Sequence, residues 1–202
     1  MFHRNDSDQK KKEQEEKEPF SLKKEIISWI QIIVAAVVIA FVLNTCIIAN
    51  SYVPTGSMIP TIPLKTRVIG SRLSYLADEP ERGDVVIFYY PDDPEQKTFY
   101  VKRVIGLPGE TVTLKEGKVY INDSETPLEE PYLAEPVHPT EMYNNEDVNN
   151  AVYQVPEGCY FMMGDNRNHS LDARFWVNTY VPKDKIIAKV LFSYFPKLKW
   201  IE

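Results

Sequence analysis

The sequence has few of the residues that build disulfide frameworks and metal sites. Only two cysteines, Cys46 and Cys159, occur in 202 residues, and they lie too far apart for a zinc-ligand spacing. The three histidines are isolated from one another, so no metal cluster is indicated. Basic residues are outnumbered, 23 Lys and Arg against 29 Asp and Glu, which argues against a nucleic-acid-binding domain. We therefore expect no metal, no cofactor and no nucleic-acid partner.

Charge is missing from one continuous stretch, Ile26 to Ala49. A helix of this length extends about 36 Å, enough to cross a hydrocarbon core of about 30 Å. A buried core helix is less consistent with a pattern that is apolar on all sides, and a cleaved signal peptide would have a shorter apolar core of about 7–15 residues. We predict an uncleaved transmembrane helix over residues 26–49, preceded by a charged tail, residues 1–25.

Lysines are concentrated on the N-terminal side of this predicted span. Within about twenty residues after the span only Lys65 and Arg67 are basic. The lysines in the corresponding stretch before the span are Lys10, Lys11, Lys12, Lys17, Lys23 and Lys24. Because basic flanks stay in the cytoplasm, we expect a single-pass protein of the cell membrane with a cytoplasmic N-terminus and residues 50–202 on the extracytoplasmic side.

After the predicted span, short segments rich in Val, Ile, Phe, Tyr and Thr alternate with turn signals, without a long helical pattern. The predicted strands are Arg67–Leu73, Val85–Tyr90, Phe99–Ile105, Thr111–Leu114, Lys118–Ile121, Cys159–Met163 and Ile186–Phe195. The pattern predicts a mostly β fold, in which an antiparallel, barrel-like domain follows the membrane helix. Asp123 to Asp147 is acidic and lacks Lys and Arg, so we predict an exposed, partly irregular loop there, with a specificity element as the alternative.

One serine lies in a segment that proline and glycine constrain. Ser57 stands between Pro54 and Pro60 and directly follows Gly56. Proline stiffens the backbone, and glycine permits a close approach of another group. Ser57 is therefore a candidate nucleophile, and an ordinary turn serine is the alternative.

One lysine lies inside an apolar predicted strand. Side chains alternate between the faces of a strand, so Lys102 shares a face with Tyr100 and Val104, while Arg103 points away. Desolvation by such neighbours lowers the pKa of a lysine from about 10.4 and favours the neutral amine that a general base requires. The alternative is an edge-strand lysine that prevents aggregation.

A dense polar run, Gly164 to Arg174, directly follows the apolar strand ending at Met163. Such a run is either a well-bonded loop or the wall of an active site. His169 in this run suggests a Ser-His-Asp triad as an alternative, but nothing else in the sequence supports a triad.

Together, these three segments resemble the type I (leader) signal peptidases of bacteria, the peptidase S26 family. The resemblance extends from about Ile26 to Pro196. The matching motifs, in chain order, are Thr55-Gly56-Ser57-Met58-Ile59-Pro60-Thr61, Tyr100-Val101-Lys102-Arg103-Val104-Ile105-Gly106, and Gly164-Asp165-Asn166-Arg167 with Asp172-Ala173-Arg174. The size, with one N-terminal anchor and no large insertion, is similar to the Gram-positive branch of the family.

The resemblance implies a Ser–Lys dyad, with Ser57 as the nucleophile and Lys102 as the general base. It also implies that Ser170 hydrogen-bonds the lysine amine, and that the Ser57 N–H and the Thr55 hydroxyl form the oxyanion hole. The implied ionic framework around the site consists of Asp165, Asp172, Arg174 and Arg103. The implied substrate-pocket residues are Val53, Met58, Ile62, Tyr100 and Val101.

The function that follows from the resemblance is a membrane-anchored serine endopeptidase that cleaves signal peptides from exported precursor proteins. Its partners would be those precursors, with small residues at the first and third positions before the cut, and the lipid bilayer. A non-catalytic, membrane-tethered β-domain that acts as an interaction scaffold is the alternative. A Ser–Lys autoprotease of the repressor type is disfavoured by the membrane anchor and by the net acidity.

Overall fold

The structure is a computed structural model that describes residues 21–138 and 148–201. Most of the predicted charged tail, residues 1–25, lies outside these ranges, and so does the second part of the acidic segment, residues 139–147. The N-terminal helix and the β-rich remainder form two compact units that divide after Val42.

Helix α1 spans Leu22–Val42 and is followed by a π-helical turn, Leu43–Ile47. Within the stretch Leu22–Ile47 an 18-residue window has a mean hydropathy of 2.8, and the stretch is long and apolar enough to cross a membrane. A strand begins at Ile48, so the helical conformation ends before the predicted boundary at Ala49. Composition does not separate the two elements, because a membrane helix and a buried strand are equally apolar.

The rest of the chain is mostly β, as the sequence predicted. The strands are β1 (Ile48–Val53), β2 (Thr66–Ser71), β3 (Val85–Tyr89), β4 (Phe99–Gly106), β5 (Thr111–Lys115), β6 (Lys118–Ile121), β7 (Val152–Gln154), β8 (Cys159–Met163), β9 (Tyr180–Pro182), β10 (Ile186–Phe195) and β11 (Lys199–Trp200). A short helix, α2 (Ser74–Ala77), follows β2, and 3₁₀ turns cover Arg167–His169 and Lys183–Lys185. Strands β6, β8 and β10 have the predicted bounds. Strands β1, β7, β9 and β11 were not predicted, since β1 continues an apolar run and the other three are very short.

The strands form one large antiparallel sheet and one small one. The larger sheet has the order β1-β2-β10-β3-β4-β8-β9, with β11 paired to β10, and the smaller has the order β6-β5-β7. Strand β10 pairs with β2 and with β3 through register shifts. Irregularities of this kind bend a strand and increase its twist, which curls the sheet.

Hydrophobic side chains pack on both faces of the larger sheet. In β3, Val85 and Ile87 belong to one buried cluster, while Val86 and Phe88 belong to another. The first cluster also contains Val53 of β1 and Val101 of β4, although these strands are not neighbours in the sheet. The curl therefore brings the end of β1 close to β4, and burial on both faces explains why β3 is a continuous apolar run.

Candidate active site

The serine turn lies in the connection between β1 and β2 and is held by a residue of the third motif. The Ser57 side chain is 7% exposed, and its Oγ lies 3.3 Å from Thr55 Oγ1. The backbone N–H of Asn166 donates to the Ser57 carbonyl at 3.0 Å, and Asn166 Nδ2 donates to the Gly56 carbonyl at 3.0 Å. Sequence reasoning gave Asn166 no role, because this contact spans 110 positions of the chain.

Lys102 lies in β4 and is 3% exposed. Its Nζ is 5.7 Å from the centre of the Tyr100 ring, on the face that strand alternation predicted. Within residues 21–138 and 148–201 the amine makes no ion pair and no hydrogen bond. Burial lowers the pKa of Lys102 to about 8, opposed by the negative charges of Asp172 and Asp165 and assisted by the positive charge of Arg174.

Two buried ion pairs lie close to this lysine, and both use residues of the predicted ionic framework. Arg103 donates from Nε and from its second guanidinium nitrogen to the two oxygens of Asp165, at 2.9 and 2.8 Å. Arg174 binds Asp172 in the same two-point manner, at 2.8 and 2.9 Å. Thr61, which the sequence did not single out, donates to the same Asp165 carboxylate.

Burial alone would raise the pKa of Asp172, but the charge and hydrogen bonds of Arg174, together with the Gly164 N–H at 2.9 Å, hold the pKa below its ordinary value. Asp172 therefore stays ionised in the interior. Because Asp172 and Arg174 act on the Lys102 pKa in opposite directions, burial remains the largest cause of its shift.

Ser57 and Lys102 line the same cavity, which has a volume of about 260 Å³. Three of the predicted pocket residues also line it, namely Val53, Tyr100 and Val101. Further lining residues that the sequence analysis did not assign to the pocket are Tyr52, Pro54, Phe99 and Leu171. No direct hydrogen bond joins Ser57 Oγ to Lys102 Nζ in the described part of the chain. Catalytic hydrogen bonds are often long without substrate and tighten when it binds.

Two predicted pocket residues, Met58 and Ile62, do not line this cavity. Both side chains are 0% exposed and pack into the cluster beneath the serine turn. They lie near the candidate nucleophile in sequence. The sequence alone does not distinguish an apolar side chain that lines a cavity from one that packs in the core.

The predicted hydrogen bond from Ser170 to the lysine amine is not formed. Ser170 is 0% exposed, and its hydroxyl has no hydrogen-bond partner among the described residues. The hydroxyl points toward Gly164 instead, since a Cβ added to Gly164 would lie 2.2 Å from Ser170 Oγ. Only glycine leaves room for it there.

The residues predicted for the oxyanion hole lie together at the cavity. Thr55 lines the cavity, and its hydroxyl is within hydrogen-bond distance of Ser57 Oγ. The Ser57 N–H donates to no group in the described ranges. The same site therefore holds two donors beside the candidate nucleophile.

A histidine-based alternative finds little support in the geometry. His169 is exposed and lines the cavity, but its side chain bonds to no carboxylate within residues 21–138 and 148–201. A triad requires a base that a third group orients. The same ranges contain no group of three or more His, Cys, Asp or Glu side chains placed to hold a metal ion.

Known proteins are similar to this chain over most of its length. The model of the family described as signal peptidase, peptidase S26, matches residues 26–195. A probable signal peptidase I of Synechocystis is 34% identical over 175 residues, 84% of this chain and 74% of that protein. Signal peptidase I S of Bacillus subtilis is 35% identical over 181 residues, 89% of this chain and 94% of that protein.

A solved structure is also similar to part of the chain. The crystal structure of a signal peptidase I from Enterococcus faecalis is 31% identical, with a TM-score of 0.42, and the match covers 55% of this chain and 97% of that one. Since relatives from Synechocystis and Bacillus are similarly identical, the Gram-positive-like subtype stays a prediction. The matched family model and these relatives establish that the chain belongs to the signal peptidase family, peptidase S26.

Proposed function

We propose that this chain is a membrane-anchored serine endopeptidase that removes signal peptides from exported precursor proteins with a Ser57–Lys102 dyad. Membership of the family makes the chain a signal peptidase. The dyad, the anchor and the orientation are the proposed part. The observation that carries the dyad is a buried lysine with a pKa of about 8 in the same cavity as a constrained serine hydroxyl.

The first chemical step is acyl transfer to the serine. The neutral amine of Lys102 takes the proton of Ser57 Oγ as that oxygen forms a bond to the scissile carbonyl carbon. The Ser57 N–H and the Thr55 hydroxyl then donate to the negative oxygen, and each well-placed donor of this kind contributes about 3–4 kcal/mol. The carbon–nitrogen bond breaks, and the Lys102 ammonium gives its proton to the leaving amine.

The second step releases the signal peptide. With its amine neutral again, Lys102 takes a proton from a water molecule as that water attacks the acyl-serine carbonyl. The tetrahedral adduct collapses, Ser57 Oγ regains a proton from the ammonium, and the carboxylic acid end of the signal peptide leaves. A pKa of about 8 suits both directions of proton transfer, since base and acid forms are both populated near neutral pH.

The substrate class follows from the family and from the cavity. Val53, Tyr100 and Val101 form apolar walls beside the dyad, which suits the small residues expected before the cut. The apolar segment Leu22–Ile47 would anchor the enzyme in the same membrane as its substrates. The lysines before the predicted span, residues 26–49, support a cytoplasmic tail and an extracytoplasmic site.

The proposal is tested by incubating the full-length protein in detergent micelles with a labelled secretory precursor and sequencing the N-terminus of the product. Ser57→Ala and Lys102→Met are each expected to reduce kcat/KM at least about 1,000-fold, because members of a catalytic unit fail together. Circular dichroism checks that each variant keeps its β fold.

Matched substitutions on the surface serve as controls. Lys118→Met removes an exposed strand lysine and Ser124→Ala an exposed serine, and both are expected to leave cleavage unchanged. The scaffold alternative gains if folded Ser57→Ala and Lys102→Met proteins process the precursor at the wild-type rate.

A further inference from the structure

The acidic segment, for which the sequence offered no clear role, is attached by a buried ion pair to the polar loop after β8, residues 164–174, here called the catalytic loop. The guanidinium of Arg167 binds both carboxylate oxygens of Glu130, one of them at 3.0 Å, and the two side chains are 2% and 6% exposed. Tyr132 donates to the same carboxylate at 2.8 Å. Residues 123–138 are therefore only partly the solvent-exposed loop that the composition predicted.

A second group of hydrogen bonds attaches the same segment through Asn168, which is 6% exposed. Its Nδ2 donates to Glu135 at 2.8 Å and to the Pro136 carbonyl at 3.1 Å, and its Oδ1 accepts the His138 N–H at 2.9 Å. One buried amide thus bonds to three residues of the segment within four positions of the chain, so the segment has a defined position beside the catalytic loop.

Between the segment and the catalytic loop lies a second cavity, of about 210 Å³. Its walls are Ile59, Ala134, Glu135 and residues 165–169. Of its charged residues, Asp165 is paired with Arg103 and Arg167 with Glu130. Glu135, by contrast, is exposed and has no cationic partner in the described part of the chain. The cavity therefore presents one uncompensated negative charge.

The second cavity adjoins the first. His169 lines both cavities. Asn166, which lines the second, donates hydrogen bonds to the carbonyls of Gly56 and Ser57. A peptide whose signal-peptide side occupies the first cavity has its scissile bond at Ser57, and the second cavity offers adjoining space for the residues that follow that bond.

We propose that this second cavity binds the precursor residues that follow the scissile bond, and that Glu135 selects against acidic residues and for basic ones at those positions. The inference rests on the proposed endopeptidase function. A carboxylate at the wall repels a like charge brought beside it and attracts an opposite one, so specificity arises partly from rejection. Because Glu135 is exposed to solvent, the preference should be about two- to fivefold per charge.

The test uses the full-length protein in micelles and internally quenched peptides that share one signal-peptide sequence and differ only in having Lys, Gln or Glu at the second and third residues after the cut. The quantity measured is the ratio of kcat/KM for the Lys and Glu peptides within each variant, which is independent of how active that variant is. Wild type should prefer Lys over Glu. Glu135→Gln should bring the ratio close to one, and Glu135→Lys should invert it.

The matched control is Glu129→Lys, which changes an exposed acidic residue of the same segment outside the cavity wall and should keep the wild-type ratio. Raising salt from about 0.1 to about 1 M shortens the Debye length from about 10 to about 3 Å and should reduce the wild-type ratio without any mutation. A wild-type ratio of one, or an unchanged ratio in Glu135→Lys, overturns the inference. Failure of wild type to cleave even the Gln peptide would instead contradict the proposed function.

Discussion

Lys102 combines two properties that oppose each other, because the burial that makes the amine useful as a base also makes it costly to the fold. Its side chain is 3% exposed, and no carboxylate within the described ranges lies close enough to form an ion pair with it. An ammonium in this position loses hydration without full compensation, so the neutral form is favoured. Under the proposed mechanism the same side chain affects both the pH dependence of cleavage and the stability of the protein.

The pH dependence of cleavage should follow the ionisation of Lys102. Only the neutral amine accepts the serine proton, and the pKa of about 8 leaves it mostly protonated at pH 7. We expect kcat/KM to rise about tenfold between pH 7 and pH 9 and then to level off. Initial rates across this range with a labelled precursor provide the measurement. A rise centred near pH 6.5, the ordinary pKa of histidine, would point to His169 instead.

Replacing the lysine by methionine should stabilise the fold while it removes activity. Lowering the Lys102 pKa from 10.5 to about 8 costs the native state about 3 kcal/mol of unfolding free energy at pH 7. Between pH 8 and pH 10.5 the unfolded chain binds more protons than the native one, so wild-type stability rises with pH there. Denaturant unfolding of Lys102→Met should show a gain at pH 7 that shrinks through this window. A variant less stable than wild type at pH 7 would contradict the burial argument.

At the scale of elements, the site depends on the loop after β8 lying directly against the serine turn. Gly164 makes this approach possible, because a Cβ there would meet Ser170 Oγ at 2.2 Å and the Ser57 carbonyl oxygen at 2.5 Å. The second contact is with backbone, which cannot rotate away as the end of a side chain can. The loop also carries Asn166, so any displacement of the loop is passed to the serine turn through its two hydrogen bonds.

Gly164→Ala should therefore lower the kcat of the folded protein, beyond any loss of activity that comes from unfolding. A displacement of about 1 Å at a catalytic centre reduces the rate by about 100-fold, and we expect a loss of that order. The control is Gly70→Ala in β2, where the new Cβ would lie 2.9 Å from the Lys189 carbonyl oxygen, outside the cavity lining. That variant should lose melting temperature but keep the kcat of its folded fraction. Equal kcat in the two folded variants would show that Gly164 has no special role.

At the scale of the whole molecule, an apolar helix and a β-rich catalytic unit occupy one short chain. The helical stretch Leu22–Ile47 leads directly into β1, and the candidate nucleophile follows β1 in the next connection. A chain built in this way would keep its active site close to membrane-bound substrates. The proposed function further places the catalytic unit on the side of the membrane to which precursors are exported.

The proposed orientation is testable with single cysteines in right-side-out membrane vesicles. In a background without Cys46 and Cys159, Lys118→Cys should react with a membrane-impermeant maleimide in intact vesicles, since Lys118 is exposed in β6. Lys10→Cys in the charged tail should react only after detergent opens the vesicles. The reverse pattern would place the catalytic unit in the cytoplasm and refute the orientation drawn from the lysine distribution.

Much of the fold was readable from local pattern, and the exceptions have physical causes. Residue composition and turn signals predicted β6, β8 and β10 with the observed bounds, and strand alternation predicted the face on which Lys102 lies. The start of β1 could not be predicted from the sequence, because an apolar helix and an apolar strand have the same composition. The attachment of the acidic segment could not be predicted, because the buried partners of Glu130 and Glu135 lie more than thirty residues away in the chain.

The amino-acid order was sufficient for features that depend on neighbours in the chain: the apolar run, the strand periodicity, the proline- and glycine-constrained serine and the family motifs. Features that depend on distant groups needed the folded chain. These are the meeting of Ser57 with Lys102 in one cavity, the attachment of Asn166 to the serine turn, and the direction of the Ser170 hydroxyl. The reason is that desolvation and hydrogen bonding are set by the surroundings of a group in space, and these surroundings come from segments separated by up to 110 positions.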